Sequence, residues 1–285
     1  MRVEPCDATL GAVVGGVALA DLDPGEWEEI EAAFHRYAVL VFPGAVLTPD
    51  QQVGFARRFG DIEHVVERAD SVPISNQGRD GRVRDPDDPL MEIIRGNMEW
   101  HTDSSYRPLA AKASMLSAHV VPSAAGETEW ADMRAAYDAL DPGDRALVDS
   151  ATACHSLAYS QGRAGFGDRT FRYGFDVGDA PRRPLVKVHP ATGRRSLFIG
   201  RHAYGVSGLS EEESERLLDR LVEQACRPPR ILRHRWRVGD LVVWDNRCVL
   251  HRARPWDFAE PRSMLHTRIA GDPATELAGQ GAAAV

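Results

Sequence analysis

Cysteine is scarce in this chain, and its scarcity bears on where the protein works. Only four cysteines occur in 285 residues, and they stand far apart at Cys6, Cys154, Cys226 and Cys248 with no CxxC pair. This spacing favours reduced thiols in a cytoplasm over a disulfide framework or a zinc knuckle. We therefore expect a cytoplasmic protein.

Long apolar runs are also lacking. No stretch approaches the roughly 20 apolar residues that cross a bilayer. The most apolar segment near the start, GAVVGGVALA at 11–20, holds three glycines. It follows Glu4 and Asp7, where a secretory signal has basic residues. The sequence thus predicts neither a membrane partner nor a signal peptide.

An excess of positive charge is the third absence. The formal net charge is -8 and the isoelectric point is about 5.7, whereas a nucleic-acid partner requires a basic surface. The contents of hydrophobic (43%) and charged (27%) residues are those of an ordinary globular protein. With no internal repeat and no polar linker, we expect one domain over residues 1–285. Homo-oligomer formation stays open.

Local patterns predict a mixture of helices and strands. Two segments are typical of helices: DPGEWEEIEAAFHRY, with Pro24 in its first turn, and LTPDQQVGFARRFG, where Thr48 and Gln51 form a capping box. The strand AVLVFPG lies between them, and residues 11–20 are expected to form two strands that turn at Gly15-Gly16. Later segments are mostly strands without a βαβ rhythm, which favours a closed or sandwiched antiparallel sheet with helices outside.

Two segments have the composition of long loops. Residues 76–95 are rich in Gly, Asp, Pro and Arg, and residues 161–184 are similar. Loops of this length inside a compact domain often cover a functional site. We predict that both are mobile without substrate and close over the site when it binds.

The segment WHTDSSY carries the first functional signal. In a strand, side chains at positions i and i+2 point to the same side, so His101 and Asp103 would share a face and Thr102 would point away. Trp100 and Tyr106 are bulky enough to form the walls of a pocket. For an isolated H-x-D, a hydrogen-bonded pair on a wet loop is the alternative.

A metal site at His101 and Asp103 needs a third ligand. Among the downstream histidines, His251 has the best setting, because CVLHRA resumes as a strand after the apolar strand GDLVVWDN and its turn. Two histidines and one carboxylate on one side of a metal leave positions open, as in the facial triad of non-haem iron oxygenases. Zinc would bind the same donors, although catalytic zinc needs no arginine that anchors a carboxylate.

Basic side chains line one face of the strand RSMLHTRIA. Period two places Arg262, His266 and Arg268 on the same side. Such a face implies an anionic ligand, and the planar guanidinium binds carboxylates through two parallel hydrogen bonds. The segment IGRHAY adds Arg201 and His202 from another element. A metal beside these arginines indicates that a small carboxylic acid binds near the metal.

These motifs together resemble the taurine / 2,4-D family of Fe(II)- and 2-oxoglutarate-dependent dioxygenases. The likeness runs along nearly the whole chain, through LVFPG, QQVGFARRFG, WHTDSSY, GETEWADMRAAYDAL, HSLAYSQ, RPLVKVHPATGRRSLFIGRHA, VVWDNRCVLHRARPWDF and PRSM. Within the family the chain looks most similar to the aryloxyalkanoate dioxygenases, the type that acts on (S)-2-phenoxypropionates and 2,4-D.

The resemblance implies a fold, a ligand set and a reaction. The fold is mixed α and β, mainly antiparallel β, with a double-stranded β-helix (jelly roll) core and flanking helices. His101, Asp103 and His251 would bind Fe(II), and Thr128 and Arg262 would bind the cosubstrate 2-oxoglutarate. With O2, the enzyme would hydroxylate the carbon next to the ether oxygen of an aryloxyalkanoate, giving a phenol, a 2-oxo acid, succinate and CO2.

The acid substrate requires its own cation, because a desolvated carboxylate is costly to bury unpaired. Taurine-type members have a second arginine four residues after the cosubstrate arginine, whereas this chain has His266, which argues against taurine. We expect Arg268 first, and Arg201 second, to bind the substrate acid. The full set of predicted substrate contacts is Arg268, Arg201, His202, His266, Trp100 and Tyr106.

Two rival functions remain at this point. The same oxygenase chemistry could act on another small organic acid, or the donors could serve a metal-dependent hydrolase or isomerase on a cupin-like barrel. Consumption of O2 tied to 2-oxoglutarate distinguishes the oxygenase from the hydrolase. A non-catalytic jelly roll is disfavoured, because such a protein is expected to have lost a metal ligand and this chain keeps all three candidates.

Overall fold

A large sheet forms the main layer of the fold. The computed structural model describes residues 1–64, 66, 68–78, 80–166 and 180–279. The seven strands of this sheet are Arg2–Pro5 (β1), Ala12–Gly15 (β2), Val39–Phe42 (β3), Val72–Ser75 (β4), Ala111–Val120 (β5), Leu241–Asp245 (β13) and Ser263–Ala270 (β15). Their spatial order is β1-β2-β3-β13-β5-β15-β4. All pairs are antiparallel except β2 with β3.

Three smaller sheets accompany it. One consists of Thr128–Asp132 (β6), Ile231–His234 (β12) and Val249–Ala253 (β14), in the order β12-β6-β14. The others contain Thr152–His155 (β7), Arg182–Pro184 (β8) and Ala203–Tyr204 (β11), and Val186–Val188 (β9) with Arg195–Leu197 (β10). Every pair in them is antiparallel. The mixed, mainly antiparallel architecture expected from the sequence is therefore confirmed.

Helices surround the sheets. They are Pro24–Tyr37 (α1), Pro49–Ala56 (α2), Pro89–Gly96 (α3), Met133–Asp138 (α4), Pro142–Ser150 (α5), Leu157–Arg163 (α6), Glu211–Ala225 (α7) and Pro273–Glu276 (α8). The two predicted N-terminal helices form as expected. Asp23 and Glu26 close a capping box on α1, and Thr48 and Gln51 do the same on α2. No helix in the described part of the chain has the length and apolar character needed to cross a membrane.

Two apolar clusters hold the large sheet. On one face, Leu40, Phe42, Met115 and Val243 pack against Ile30 and Phe34 of α1 and Phe55 of α2. On the other face, side chains of the large sheet meet the β12-β6-β14 sheet in a common cluster that includes Val41, Leu116, Trp130, Trp244, Val249 and Met264. The two sheets thus pack face to face, and the functional residues described below lie between them.

Three sequence predictions about local structure need correction. Residues 11–20 do not form a strand pair: only β2 forms there, and its antiparallel partner is β1. Residues 76–95 are not irregular throughout, since α3 begins at Pro89 with Asp88 as its N-cap. The segment 161–184 likewise starts in α6 and ends in β8, while its positions 167–179 lie outside the described residues.

Candidate metal centre and its two cavities

A backbone bridge brings two of the predicted metal ligands together. The His101 amide donates to the His251 carbonyl at 3.0 Å, and the His251 amide donates back at 2.8 Å. The expected strand through WHTDSSY does not form. The chain turns after His101, and Ser104 has a left-handed φ of 55°, which is uncommon for a residue with a side chain. The turn, rather than strand periodicity, carries Asp103 back to the histidines.

The three side chains form a compact donor set. One donor atom each from His101, Asp103 and His251 lies within 4.8 Å of the others, and all three residues are buried. The rings of His101 and His251 are 4.2 Å apart between centroids, and His251 Nε2 is 3.7 Å from Asp103 Oδ2. Two imidazoles and one carboxylate in this arrangement match the 2-His-1-carboxylate set that binds Fe(II).

The imidazoles are in the state that a metal requires. His101 Nδ1 lies 2.7 Å from the Glu99 carbonyl, so Nδ1 carries the proton and Nε2 keeps its lone pair for a metal. Burial lowers the pKa of His101 to about 4 and the pKa of His251 well below its ordinary value. Both rings are neutral at physiological pH, and a metal therefore displaces no proton from them.

Asp103 is held at both of its oxygens. The Ser114 hydroxyl donates to Oδ2 at 2.6 Å, and Arg268 Nη2 lies 2.9 Å from Oδ1. Burial acts to raise the pKa of Asp103, but the charge of the Arg268 guanidinium holds it well below its usual range. The carboxylate is thus ionised and fixed in orientation before any metal binds.

Further polar residues position Asp103, and the sequence did not reveal them. Asn246 Nδ2 donates to Ser114 Oγ at 2.8 Å, while Trp244 Nε1 donates to Asn246 Oδ1 at 3.0 Å. Thr102 turns away from the donor set, as expected, and its hydroxyl donates to the Asn246 carbonyl at 2.8 Å. These partners come from β5, from β13 and from the turn after β13, so only the fold brings them to the metal ligands.

A second buried donor group does not offer an open site. His189, Asp245 and Cys248 also lie within 4.8 Å of one another. Arg247, however, binds both oxygens of Asp245, at 2.8 Å through Nε and 2.6 Å through Nη2. The Asp245 carboxylate is already neutralised there, and His189 acts as a structural partner at 2.9 Å.

A small cavity of about 50 Å³ opens on one side of the donor set. Thr128 of β6 and Arg262, immediately before β15, line it together with the three candidate ligands. The Thr128 hydroxyl accepts a hydrogen bond from Trp236 Nε1 at 2.9 Å, which directs its own proton elsewhere. The predicted cosubstrate residues therefore share a cavity with the predicted metal ligands.

Arg262 is a buried cation without a counter-ion in the described residues. Only 4% of its surface is exposed, and its guanidinium lies 5.1 Å above the Trp256 ring and donates through Nε to the Gly126 carbonyl at 3.3 Å. Burial lowers its pKa to about 10. Arg262 remains charged at neutral pH, and a buried charge of this kind is stabilised when an anion enters the cavity.

A large cavity of about 650 Å³ opens on the other side of the donor set. Its walls are mainly apolar and include Leu90, Ile93 and Ile94 of α3 and Val72 and Ile74 of β4. The cavity reaches His101 and Asp103, so a bound molecule would extend from the metal centre into apolar surroundings.

Five of the six predicted substrate contacts line this cavity: Arg268, Arg201, His202, His266 and Tyr106. The sixth, Trp100, does not. Neighbouring residues of extended backbone point in opposite directions, and Trp100 packs instead in the cluster of Met133, Leu197 and Leu250, with the Arg252 guanidinium 4.4 Å from its ring centre. The expectation that Trp100 walls the cavity is therefore wrong.

The cations of the large cavity already have partners. Arg268 binds Asp103 and donates through Nη1 to Ser104 Oγ at 3.1 Å. Arg201 donates through Nη2 to the Ser160 carbonyl at 3.0 Å and to Gln161 Oε1 at 2.8 Å, and also binds the Gly96 carbonyl.

The remaining histidines and one further arginine complete this wall. Burial lowers the pKa of His202 well below its ordinary value, so it lines the cavity as a neutral ring. His266 stacks on Trp244 at an angle of 8°, and its Nε2 finds no hydrogen-bond partner in the part of the chain that the structure describes. Arg84, which sequence reasoning missed, also lines the cavity and binds Asp88 at 3.0 Å.

Helix α3 is the largest feature of the cavity that the sequence analysis missed. Signals for it were present: Asp88 and Pro89 begin the helix, and Leu90, Ile93 and Ile94 then recur at helical spacing. The Gly, Asp and Arg residues before them dominate the composition of residues 76–95, and for this reason the whole segment was predicted to be a loop.

The fold and this geometry agree with the comparisons to known proteins. Residues 2–268 match the model of the family described as "Taurine catabolism dioxygenase TauD, TfdA family". The chain belongs to this family. One solved relative, titled "Crystal structure of AAD-2 in complex with Mn(II) and N-oxalylglycine", superposes with a TM-score of 0.88 at 39% identity over 95% of this chain and 98% of that one.

Two curated relatives have described activities. The (S)-phenoxypropionate/alpha-ketoglutarate-dioxygenase of Sphingobium herbicidovorans is 53% identical over 97% of both chains. The alpha-ketoglutarate-dependent 2,4-dichlorophenoxyacetate dioxygenase of Cupriavidus pinatubonensis is 42% identical over 87% of this chain and 89% of the relative. The resemblance noted from the sequence motifs is thus confirmed.

Proposed function

We propose that this protein is an Fe(II)- and 2-oxoglutarate-dependent dioxygenase that hydroxylates the C–H next to the ether oxygen of an aryloxyalkanoate. The observation that supports this most directly is the buried Arg262, which pairs with none of the described carboxylates, in a small cavity beside the His101–Asp103–His251 donor set. A metal ion at the donor set and a small anion in this cavity would therefore bind next to each other. Zinc hydrolases need no such anion site.

Separate groups of residues bind the metal and the cosubstrate. His101, Asp103 and His251 hold Fe(II), which when bound supplies O2 activation. Arg262 binds the distal carboxylate of 2-oxoglutarate, and Thr128 contacts the same molecule. Because most residues that line the small cavity are buried, these contacts limit the access of water to the cosubstrate and fix its orientation relative to the metal.

The overall reaction balances without any further reactant. One atom of O2 enters succinate as 2-oxoglutarate loses CO2, and the other enters the acid substrate at the carbon between its ether oxygen and its carboxylate. The resulting hemiacetal breaks its bond to the ether oxygen, and the products are a phenol and a 2-oxo acid. The apolar walls of the large cavity suit the aryl group.

The anchor of the substrate acid is part of the proposal. Arg268 remains our first candidate, because it borders both cavities and places its charge next to the metal ligands. Arg201 is the second candidate, with Tyr106, His202 and His266 beside them. Their existing bonds do not prevent this role, since each guanidinium carries five N–H donors.

The fold-level proposals follow the same reasoning. We infer that the two facing sheets form the double-stranded β-helix and that residues 1–285 work as one domain. The free cysteines Cys6, Cys154, Cys226 and Cys248 support a cytoplasmic location, where thiols stay reduced.

The test is a direct assay of stoichiometry. Purified protein with Fe(II) and 2-oxoglutarate should release one succinate and one phenol for each molecule of 2-phenoxypropionate or 2,4-D consumed, and O2 uptake should match. Phenol release without 2-oxoglutarate would support a hydrolase instead. Succinate release with other small acids but not with aryloxyalkanoates would keep the chemistry and replace the substrate.

A further inference from the structure

The loop of residues 101–108 presents two metal ligands without belonging to a sheet. After the single bridge at His101 it turns through Asp103 and the left-handed Ser104. Its polar backbone groups cannot be satisfied by a ladder of strands, although buried carbonyls need partners. Something outside the loop must therefore hold it in shape.

Arg183 of β8 supplies those partners. Its Nε donates to the Ser105 carbonyl at 2.7 Å, and its Nη2 donates to the Arg107 carbonyl at 2.6 Å and the Pro108 carbonyl at 3.2 Å. Its Nη1 donates to the Glu276 carbonyl at 3.0 Å. One guanidinium thus binds three carbonyls of the loop 101–108, called the ligand loop below, and one carbonyl at the end of α8, in the C-terminal segment 273–279.

These bonds lie inside the protein. Arg183 is 3% exposed, its guanidinium is 5.9 Å from the Phe198 ring centre, and none of the described carboxylates forms an ion pair with it. Burial lowers its pKa to about 10, so it stays charged at neutral pH. Burying a cation that binds only carbonyls costs free energy of folding. This cost is explained if the ligand loop needs Arg183 to keep its conformation.

The contacts begin two residues after Asp103, so they act on the backbone that orients this ligand. The C-terminal segment adds a second support, because the Ala110 amide donates to the same Glu276 carbonyl at 3.2 Å and the Ala278 amide to the Pro108 carbonyl at 2.8 Å. Glu63 holds the other side of the loop by accepting from the Ser104 hydroxyl at 2.7 Å.

We propose that Arg183 is a positioning residue for the metal centre, which sets metal affinity by fixing the backbone of the ligand loop. Among the described residues, Arg183 bonds to no metal ligand and lines neither cavity, so its action is indirect. The planar fork of arginine is essential to this role, because an ammonium group cannot reach four carbonyls spread around one plane. The inference rests on the proposed metal site.

The decisive variant is Arg183→Lys, which keeps the charge and removes the fork. Residues that orient metal ligands indirectly typically change metal affinity 10- to 100-fold, and we expect a loss of about that size. Calorimetric titration of the metal-free protein with Mn(II) measures the affinity. The electron paramagnetic resonance spectrum of bound Mn(II) should also show a broader spread of zero-field splitting, which reports a less uniform ligand geometry.

Arg134→Lys is the matched control. Arg134 is also a buried arginine, and it donates to the carbonyls of His35 and Arg36 and pairs with Asp132. We expect Arg134→Lys to lower the melting temperature while leaving Mn(II) affinity unchanged. Equal loss of Mn(II) affinity in both variants, or none in Arg183→Lys, would overturn the proposal.

Folding failure has its own control. If Arg183→Lys does not fold, Arg183→Gln replaces it, because glutamine keeps two N–H donors without the charge. We expect the same loss of Mn(II) affinity in this variant. If neither variant folds, the role of Arg183 is stability of the whole fold, and the proposal is wrong. Failure of the proposed metal site is distinguishable, because the unaltered protein would then bind no Mn(II) there, and failure of the oxygenase function alone would appear in the stoichiometry assay and leave Mn(II) binding unchanged.

Discussion

The small and large cavities meet at the same metal ligands but differ in how they treat charge. In the small cavity, Arg262 is buried and unpaired by any described carboxylate, whereas Arg201, Arg268 and Arg84 in the large cavity already bind acceptors. An unpaired cation in about 50 Å³ specifies one small anion. A roomy apolar cavity with partnered cations can admit acids that differ in their aryl groups.

Each cavity should therefore control the binding of a different ligand. Substitutions in the small cavity should change the cosubstrate requirement, and substitutions in the large cavity should change the acid requirement. Substitution of residues that line both cavities should change both requirements. We expect the largest effect at the metal ligands and the smallest outside both cavities.

Loss of a metal ligand should abolish turnover, whichever cavity the substrate or cosubstrate occupies. Replacing His101, Asp103 or His251 by Ala removes one of three protein donors, and we expect turnover to fall below detection while circular dichroism stays close to that of the unaltered protein. His119→Ala, in the neighbouring strand β5, is the control and should keep turnover. A His101→Ala protein with full activity and normal iron content would contradict the assignment.

Loss of the unpaired cation should affect one ligand only. Truncating one partner of a buried charge pair costs about 2–5 kcal/mol, so Arg262→Ala should raise the dissociation constant for 2-oxoglutarate by about 30-fold to several thousand-fold. The requirement for the acid substrate should change far less. Titration of the Mn(II) form with N-oxalylglycine measures the first effect, and steady-state kinetics measure the second.

Thr128 provides a graded version of this experiment. Thr128→Ser keeps the hydroxyl that bonds Trp236 and should behave like the unaltered protein, while Thr128→Ala should weaken 2-oxoglutarate binding by up to about tenfold, the value of one hydrogen bond. Equal weakening of cosubstrate and acid in these variants would show that the two cavities do not have separate ligands.

Strand periodicity accounts for what the sequence could predict here. Arg262, His266 and Arg268 were placed on one face by alternation alone, and the structure does bring them to the same small cavity. His251 followed from the apolar strand and turn before it. The wrong expectation for Trp100 came from its bulk alone, although a residue next to an inward-facing His101 points away from the site.

Other parts of the site depend on contacts between distant segments. Ser114 and Asn246 are 132 positions apart, and Arg183 is 78 positions from Ser105. No local pattern marks such pairs, because serine, asparagine and arginine are as common on exposed surfaces as in buried networks. Only the fold shows that they hold the ligand loop.

Loss of a cation from the large cavity should weaken acid binding. Arg201→Ala should raise the Michaelis constant for 2-phenoxypropionate about tenfold or more, with 2-oxoglutarate decarboxylation in the absence of acid largely retained. Arg268→Ala should do the same and should also weaken Mn(II) binding, because it removes the ion pair with Asp103. Normal acid affinity in both variants would contradict the anchor proposal and leave the oxygenase assignment intact.

The smallest effect is expected outside both cavities, at the buried His155. Neither of its ring nitrogens has a hydrogen-bond partner among the described residues, and burial lowers its pKa to about 3, from 6.5. Below pH 6.5 the unfolded chain therefore binds a proton that the folded protein does not, so stability falls progressively as the pH drops towards 3. One pH unit in this window costs about 1.4 kcal/mol.

The variant His155→Phe removes this proton and keeps a ring beside Phe198, 5.4 Å away. Other buried histidines contribute equally to both proteins and cancel in the difference. Between pH 7.5 and 5.5, the free energy of unfolding should therefore fall by about 1 kcal/mol less in the variant than in the unaltered protein, as measured by urea denaturation. The metal-free form is used so that proton competition at the metal ligands does not enter. Parallel pH profiles for the two proteins would mean that His155 takes up a proton in the folded state, and the assignment of a neutral buried ring would then be wrong.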